Sequence, residues 1–140
     1  MHFGALTMFV GMAAIHLFVM PFLMIDSPAH FRLATNQVYM AVAASAAMVI
    51  ALHTLSANEM IVYGALLAAA AIAIRRQIGI SDKQYVREMI PHHSMAILTS
   101  RRALARTKDP QIAALAGKIL SAQEREITEM EEFLKTGRLR

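Results

Sequence analysis

The chain has 140 residues, no cysteine and a net charge of +4. That leaves room for one or two small structural units, and it excludes disulfides, thiolate metal sites and cysteine nucleophiles. Residues 1–74 carry only Asp26, Arg32 and Glu59 as ionised groups, so 13 of the 14 basic and 8 of the 10 acidic residues lie beyond them.

The uneven charge says that the chain changes solvent near Arg75. No basic stretch is interleaved with aromatics and no nucleic-acid motif is present. The high pI therefore points to a cationic face beside a membrane and not to a nucleic-acid surface.

Three apolar runs fill the first half. Phe3–Ile25 is uninterrupted and long enough for the ~30 Å hydrocarbon core, which a helix crosses in about 20 residues. It lacks the basic leader, the short apolar segment and the small-residue cleavage site of a signal peptide. Residues 37–55 form a second run, rich in Ala and Val, and residues 58–74 a shorter third. Small residues such as Ala43, Ala44, Ser45, Ala46 and Ala47 suit close helix packing within a bilayer. The expectation is a membrane domain over residues 1–76 with three spans, a multi-pass protein of the cell (inner) membrane. An odd number of spans puts Arg32, Arg75 and Arg76 on the side of the C-terminal segment, which the positive-inside rule makes cytoplasmic.

The first span carries Met8, Met12, His16, Met20 and Met24 at every fourth residue, and Met48 and His53 follow in the second. A ladder of soft ligands could conduct Cu(I), and an intramembrane His is a functional hypothesis by default. Against that stand methionine as an ordinary apolar residue and His16 as an interhelical hydrogen-bonding group.

Residues 80–136 form a second unit of two helices, over about 82–106 and 110–135. Ser81-Asp82-Lys83-Gln84 fits a capping box. Tyr85, Val86, Met89, Ile90, His92, His93, Ala96, Ile97 and Leu104 then keep helical spacing. Asp109-Pro110 starts the second helix as N-cap and first-turn proline. Its stripe runs through Ile112, Leu115, Ala116, Ile119, Gln123, Glu126, Met130 and Phe133/Leu134, and Gly137 marks its end. The short turn makes the helices antiparallel.

Two features break the core pattern. Pro91 lies inside the first helix, where it removes a hydrogen bond and clashes with the carbonyl of Arg87, so a kink is expected beside His92 and His93. Gln123 and Glu126 interrupt the stripe of the second helix, and a carboxylate there needs a cation, a metal or a donor. A turn centred on Thr107–Lys108 puts His93 level with Gln123 and Met89 level with Glu126.

The run Met89-Ile90-Pro91-His92-His93-Ser94-Met95, followed by Asp109-Pro110 and the spaced Gln123, Glu126 and Met130, resembles the domain of unknown function 305 family, a ferritin-like helical family. The resemblance covers roughly residues 80–135, and the three-span leader resembles membrane-anchored members. It implies copper binding or resistance and an extracytoplasmic hairpin, the opposite face from the one the arginines indicate.

Imidazole and thioether without cysteine suit copper. No Glu stands three residues before either histidine, so the Glu-x-x-His di-iron pattern is missing. Consecutive histidines diverge by ~100° around a helix, so His92 and His93 do not face one ion from one helix. The candidate metal ligands are His92, His93, Met89, Met95, Glu126, Gln123 and Met130. For the methionines the plain alternative is gap-filling core. Glu126 could instead pair with Arg87 or Arg125 at a dimer interface, and Arg101, Arg102 and Arg106 read as a solvated helix end.

The expected fold is all-α: three transmembrane helices and a ferritin-like antiparallel hairpin. A 60-residue unit rarely makes a core alone, so homo-oligomerisation is expected to complete a four-helix bundle. The expected partners are the lipid bilayer, a copper ion and further copies of the chain, with no nucleic acid. No nucleophile, acid/base pair or cofactor loop suggests an enzyme. The alternatives are a metal-free structural or interaction module and a copper-conducting membrane unit.

Overall fold

The computed structural model describes residues 3–138. Residues 1–2, with which the expected membrane domain opens, lie outside the described residues. All regular structure among the described residues is helical. The chain divides into two compact units, residues 1–20 with 33–80 and residues 21–32 with 81–140.

The first unit is built on α1 (Phe3–Ala14), α3 (Thr35–Leu52) and α4 (Ala57–Arg76). A π-helical turn, Ile15–Val19, joins α1 to α2 (Met20–Met24). Together these give three helices long and apolar enough to cross a membrane: Gly4–Met24, Thr35–Leu52 and Ala57–Arg76. Their core is Ala5, Ala46, Val49 and Tyr63, with Met8, Phe9, Ile50, Leu55 and Leu67 packed on it. Alanines at the contact let the backbones approach closely.

Local chemistry sets the irregularities. Pro21 has no N–H for the carbonyl of Leu17, four residues back. Gln37 Nε2 on α3 donates to that carbonyl at 3.3 Å, the kind of rescue a proline in an apolar helix requires. Ser56 and Glu59 form a reciprocal capping box at the start of α4. The S-x-x-E spacing could have been read there, and it also gives Glu59 a reason to be buried.

The second unit is the hairpin of α5 (Asp82–Arg106) and α6 (Pro110–Thr136), with residues 21–32 packed on it. Helix α5 is unbroken through Pro91. Ser81 Oγ accepts from Gln84 N at 3.4 Å. Asp109 Oδ1 accepts from the amides of Gln111 and Ile112, and Gly137 ends α6 with φ of +73°. The core joins Ile90, Ile97 and Ile127, flanked by Leu120, Met130 and Leu134.

The core face of α6 keeps Ala116, Met130 and Leu134 of the expected stripe but takes Leu120 and Ile127 in place of Ile119 and Glu126. Ala116 and Ile127 are buried, whereas Ile112, Leu115, Ile119 and Glu126 are exposed. At those two positions the core lies one residue further along the helix than the stripe that the sequence suggests. On α5 the buried positions are Val86, Ile90, Ser94, Ile97 and Ser100, and Tyr85 is exposed. Two serines thus occupy core positions.

Candidate functional site

His93 and Glu126 meet across the hairpin. His93 Nδ1 lies 2.8 Å from the Met89 carbonyl, four residues back on α5. A carbonyl can only accept, so Nδ1 carries a proton. His93 Nε2 stands 2.8 Å from Glu126 Oε2, which also accepts from Gln123 Nε2 at 3.1 Å. Two acceptor atoms at that separation hold together only with a proton or a cation between them. A ring nitrogen fixed on a backbone carbonyl, with the other turned to a carboxylate, is also how metal-ligating imidazoles are commonly oriented.

The register differs by about one helical turn from that expected: His93 faces Glu126, not Gln123 alone. Glu126 is not buried. Its side chain keeps 47% of its exposure, against 18% for His93, because the core face of α6 passes through Ile127. Within the chain, Arg125 donates to Ser121 Oγ at 3.2 Å.

The other candidate ligands are dispersed. His92 points away from His93, as the helical repeat requires, with Nε2 4.0 Å from Glu88 Oε1 and half of its side chain exposed. Glu88 was missed in the sequence although it stands four residues before His92, the spacing of helical neighbours. Met130 packs on the hairpin core. Met89 supplies its carbonyl to His93, and its side chain and that of Met95 are half-buried. Among the described residues, no three His, Cys, Asp or Glu side chains converge as a metal cage.

The largest feature absent from the sequence reading is the strap formed by residues 25–32. Ser94, fully buried, accepts the Asp26 amide at 2.7 Å and lies 2.8 Å from His30 Nδ1. Asp26 Oδ2 takes Arg101 Nη1 at 2.6 Å, and Arg101 Nη2 reaches Glu124 Oε1 at 2.8 Å. Arg32 donates to Glu131 Oε1 at 3.3 Å and to the carbonyls of Phe31 and Ala29. The strap therefore touches both helices of the hairpin. The hydrogen bond to Glu124, then the nearby charge of Asp26, raise the Arg101 pKa above the usual guanidinium value. Arg101 is thus an exposed guanidinium near the end of α5 that also pairs with two carboxylates, Asp26 and Glu124. No local periodicity could have shown this, since its partners are 75 and 23 residues away.

Residues 81–139, essentially the hairpin, match the family Domain of unknown function (DUF305). The chain is also similar to "Uncharacterized protein L153" of Acanthamoeba polyphaga mimivirus, 52% identical over 67 residues. That alignment covers 48% of this chain and 44% of the viral protein, so the chain spans less than half of that relative's length. No solved structure matches. The family resemblance carried by the His-His motif and its spacing to α6 is thereby found in the hairpin, and the match leaves residues 1–80 outside it.

Proposed function

We propose that this chain is a metal-binding protein anchored in the cell's inner membrane by three helices, with copper as its ion, serving sequestration, handling or resistance. The observation that supports this best is the His93–Glu126 pair. The Met89 carbonyl holds the Nδ1 proton, so Nε2 is the ring nitrogen left to share a cation with the carboxylate oxygen 2.8 Å away. Imidazole with carboxylate suits Cu(II), and the nearby methionines of the motif suit Cu(I). A copper ion there would be held by His93 and Glu126, with Gln123 orienting the carboxylate.

Two protein donors do not fill a coordination shell, and further copies of the chain can supply the rest. Ile112, Leu115 and Ile119 lie exposed on α6. A second hairpin covering them would complete a four-helix bundle and bring His92, Met89, Met95 or Met130 of another copy toward the pair.

A second reading rests on the absence of a third His, Cys, Asp or Glu beside the pair among the described residues. On it the chain is a metal-free interaction module, and His93–Glu126 is an interhelical ion pair. Titration of Cu(II), Cu(I) and Zn(II) into the full chain in detergent micelles separates the two. Copper affinity is expected to fall about 10-fold or more in His93→Ala and Glu126→Gln, and less in His92→Ala. Equal, weak binding by all forms would sink the metal reading and leave the interaction module.

A further inference from the structure

The membrane-type unit holds a second candidate ligand pair, imidazole and thioether, remote in sequence from the hairpin. His53 caps the C-terminal end of α3, with φ of −112° and ψ of 144°. Its ring lies along α1: Nε2 is 3.2 Å from Met8 Sδ, and Cε1 would be 3.5 Å from a Cβ placed on Gly4. Gly4 and Met8 are four residues apart, so they share a face of α1. A Cβ at Gly4 would meet the ring at ordinary van der Waals distance, so the imidazole packs on this face of α1 where it reaches the thioether.

A third element closes the same region. Tyr63 of α4 is buried in the cluster that includes Ala5 and Val49, with Met8 and Phe9 packed on it. Its ring centroid is 5.8 Å from that of Phe9. The Tyr63 hydroxyl has no hydrogen-bond partner among the described residues. A buried hydroxyl left that way costs about 1–3 kcal/mol, so Tyr63 is a polar group with free hydrogen-bonding capacity at this end of the bundle. Glu59 stands one turn before Tyr63 on the same buried face. Its Oε2 is held by Ser56 N at 3.0 Å and by Ser56 Oγ at 2.8 Å.

As a plain contact, Nε2–H against a thioether is a poor use of an imidazole, because sulfur is a weak acceptor. As a ligand pair, imidazole and thioether select a soft monovalent ion. We infer that Met8 and His53 form a site for a soft monovalent cation, of the Cu(I) or Ag(I) class, at the α3–α4 end of this unit, with Tyr63 beside it. The inference does not depend on the His93–Glu126 reading.

The test uses Ag(I), which is redox-inert, on the full chain in phosphatidylcholine nanodiscs. In a background of His92→Ala, His93→Ala and Glu126→Gln, Ag(I) binding is expected to persist. Met8→Leu or His53→Phe is then expected to weaken it about 10-fold or more. A second measurement needs no substitution: peroxide converts accessible methionine to the sulfoxide, and peptide mapping reads each site. Ag(I) should slow oxidation of Met8 several-fold and leave Met60, which is exposed, at its original rate. Unchanged Ag(I) affinity in both variants, or Met8 oxidising equally fast with and without Ag(I), overturns the site. Copper affinity left unchanged by the hairpin substitutions, with Met8 still protected by Ag(I), would instead count against the His93–Glu126 reading alone.

Discussion

At the scale of single residues, Ser94 is the position where most depends on one atom. It lies in the His-His motif, next to His93, and its buried oxygen accepts the Asp26 amide and contacts the His30 ring. Ser94→Ala would leave the Asp26 N–H without its acceptor, at a cost of about 1–3 kcal/mol for a buried donor. The expected outcome is a strap that opens more often. Amide hydrogen exchange at Asp26 should accelerate, while that of the α5–α6 core around Ile127 stays slow. An Asp26 amide as protected in Ser94→Ala as in the wild type would show that other strap contacts suffice. Ser94 also separates what the motif displays from what it hides. His92 faces solvent, His93 faces α6, and the serine between them and Met95 faces the strap, three directions that follow from the ~100° step of the helix.

At the scale of elements, caps and interruptions account for where each helix begins, bends and ends. Asp109 receives two amides of α6 on one carboxylate oxygen, and Pro110 follows in the position that has no amide to satisfy. Asp109→Ala should destabilise the hairpin by about 1 kcal/mol. Urea-dependent amide exchange of α6 reads this, and the Gln111 and Ile112 amides should show it first. The same logic explains Pro21: the helix survives it because Gln37 from α3 satisfies the Leu17 carbonyl. The elements were legible in the sequence because caps, prolines and apolar runs are local signals. The rotation of α6 was not. Ile112, Leu115 and Ile119 are as apolar as its true core residues, and only contact with Ile90 and Ile97 decides which row is buried.

At the scale of the whole molecule, three helices able to cross a membrane set a topology that can be tested without knowing the function. Three crossings put the Ser27 strap and the Ser56 turn on opposite faces of the bilayer. Single cysteines placed at Ser27 and at Ser56, in a chain that has none of its own, should react with an impermeant maleimide from opposite sides of sealed vesicles. Labelling of both from one side would reduce the number of crossings. The face that labels Ser27 is also the face of the hairpin, because the strap packs on α5 and α6 within one unit. The arginine count and the family resemblance point to different faces, so this measurement decides between them.

The sequence alone determined the helical class, the three apolar segments, the hairpin and the two histidines that diverge, because each depends on spacing along one helix or on composition within one run. It also carried the family resemblance through the fixed interval between the His-His motif and Glu126. Tertiary structure decided what those residues meet. It brought Glu126 to His93 at one turn's difference from the expected register and paired the helix-end charge of Arg101 with Asp26 and Glu124. It also seated His53 on Met8 and buried Ser94 under a strap whose Asp26 lies 68 residues before it. These are contacts between segments far apart in the chain, and their geometry is set by how helices rotate to bury the largest apolar faces. No local pattern contains that rotation.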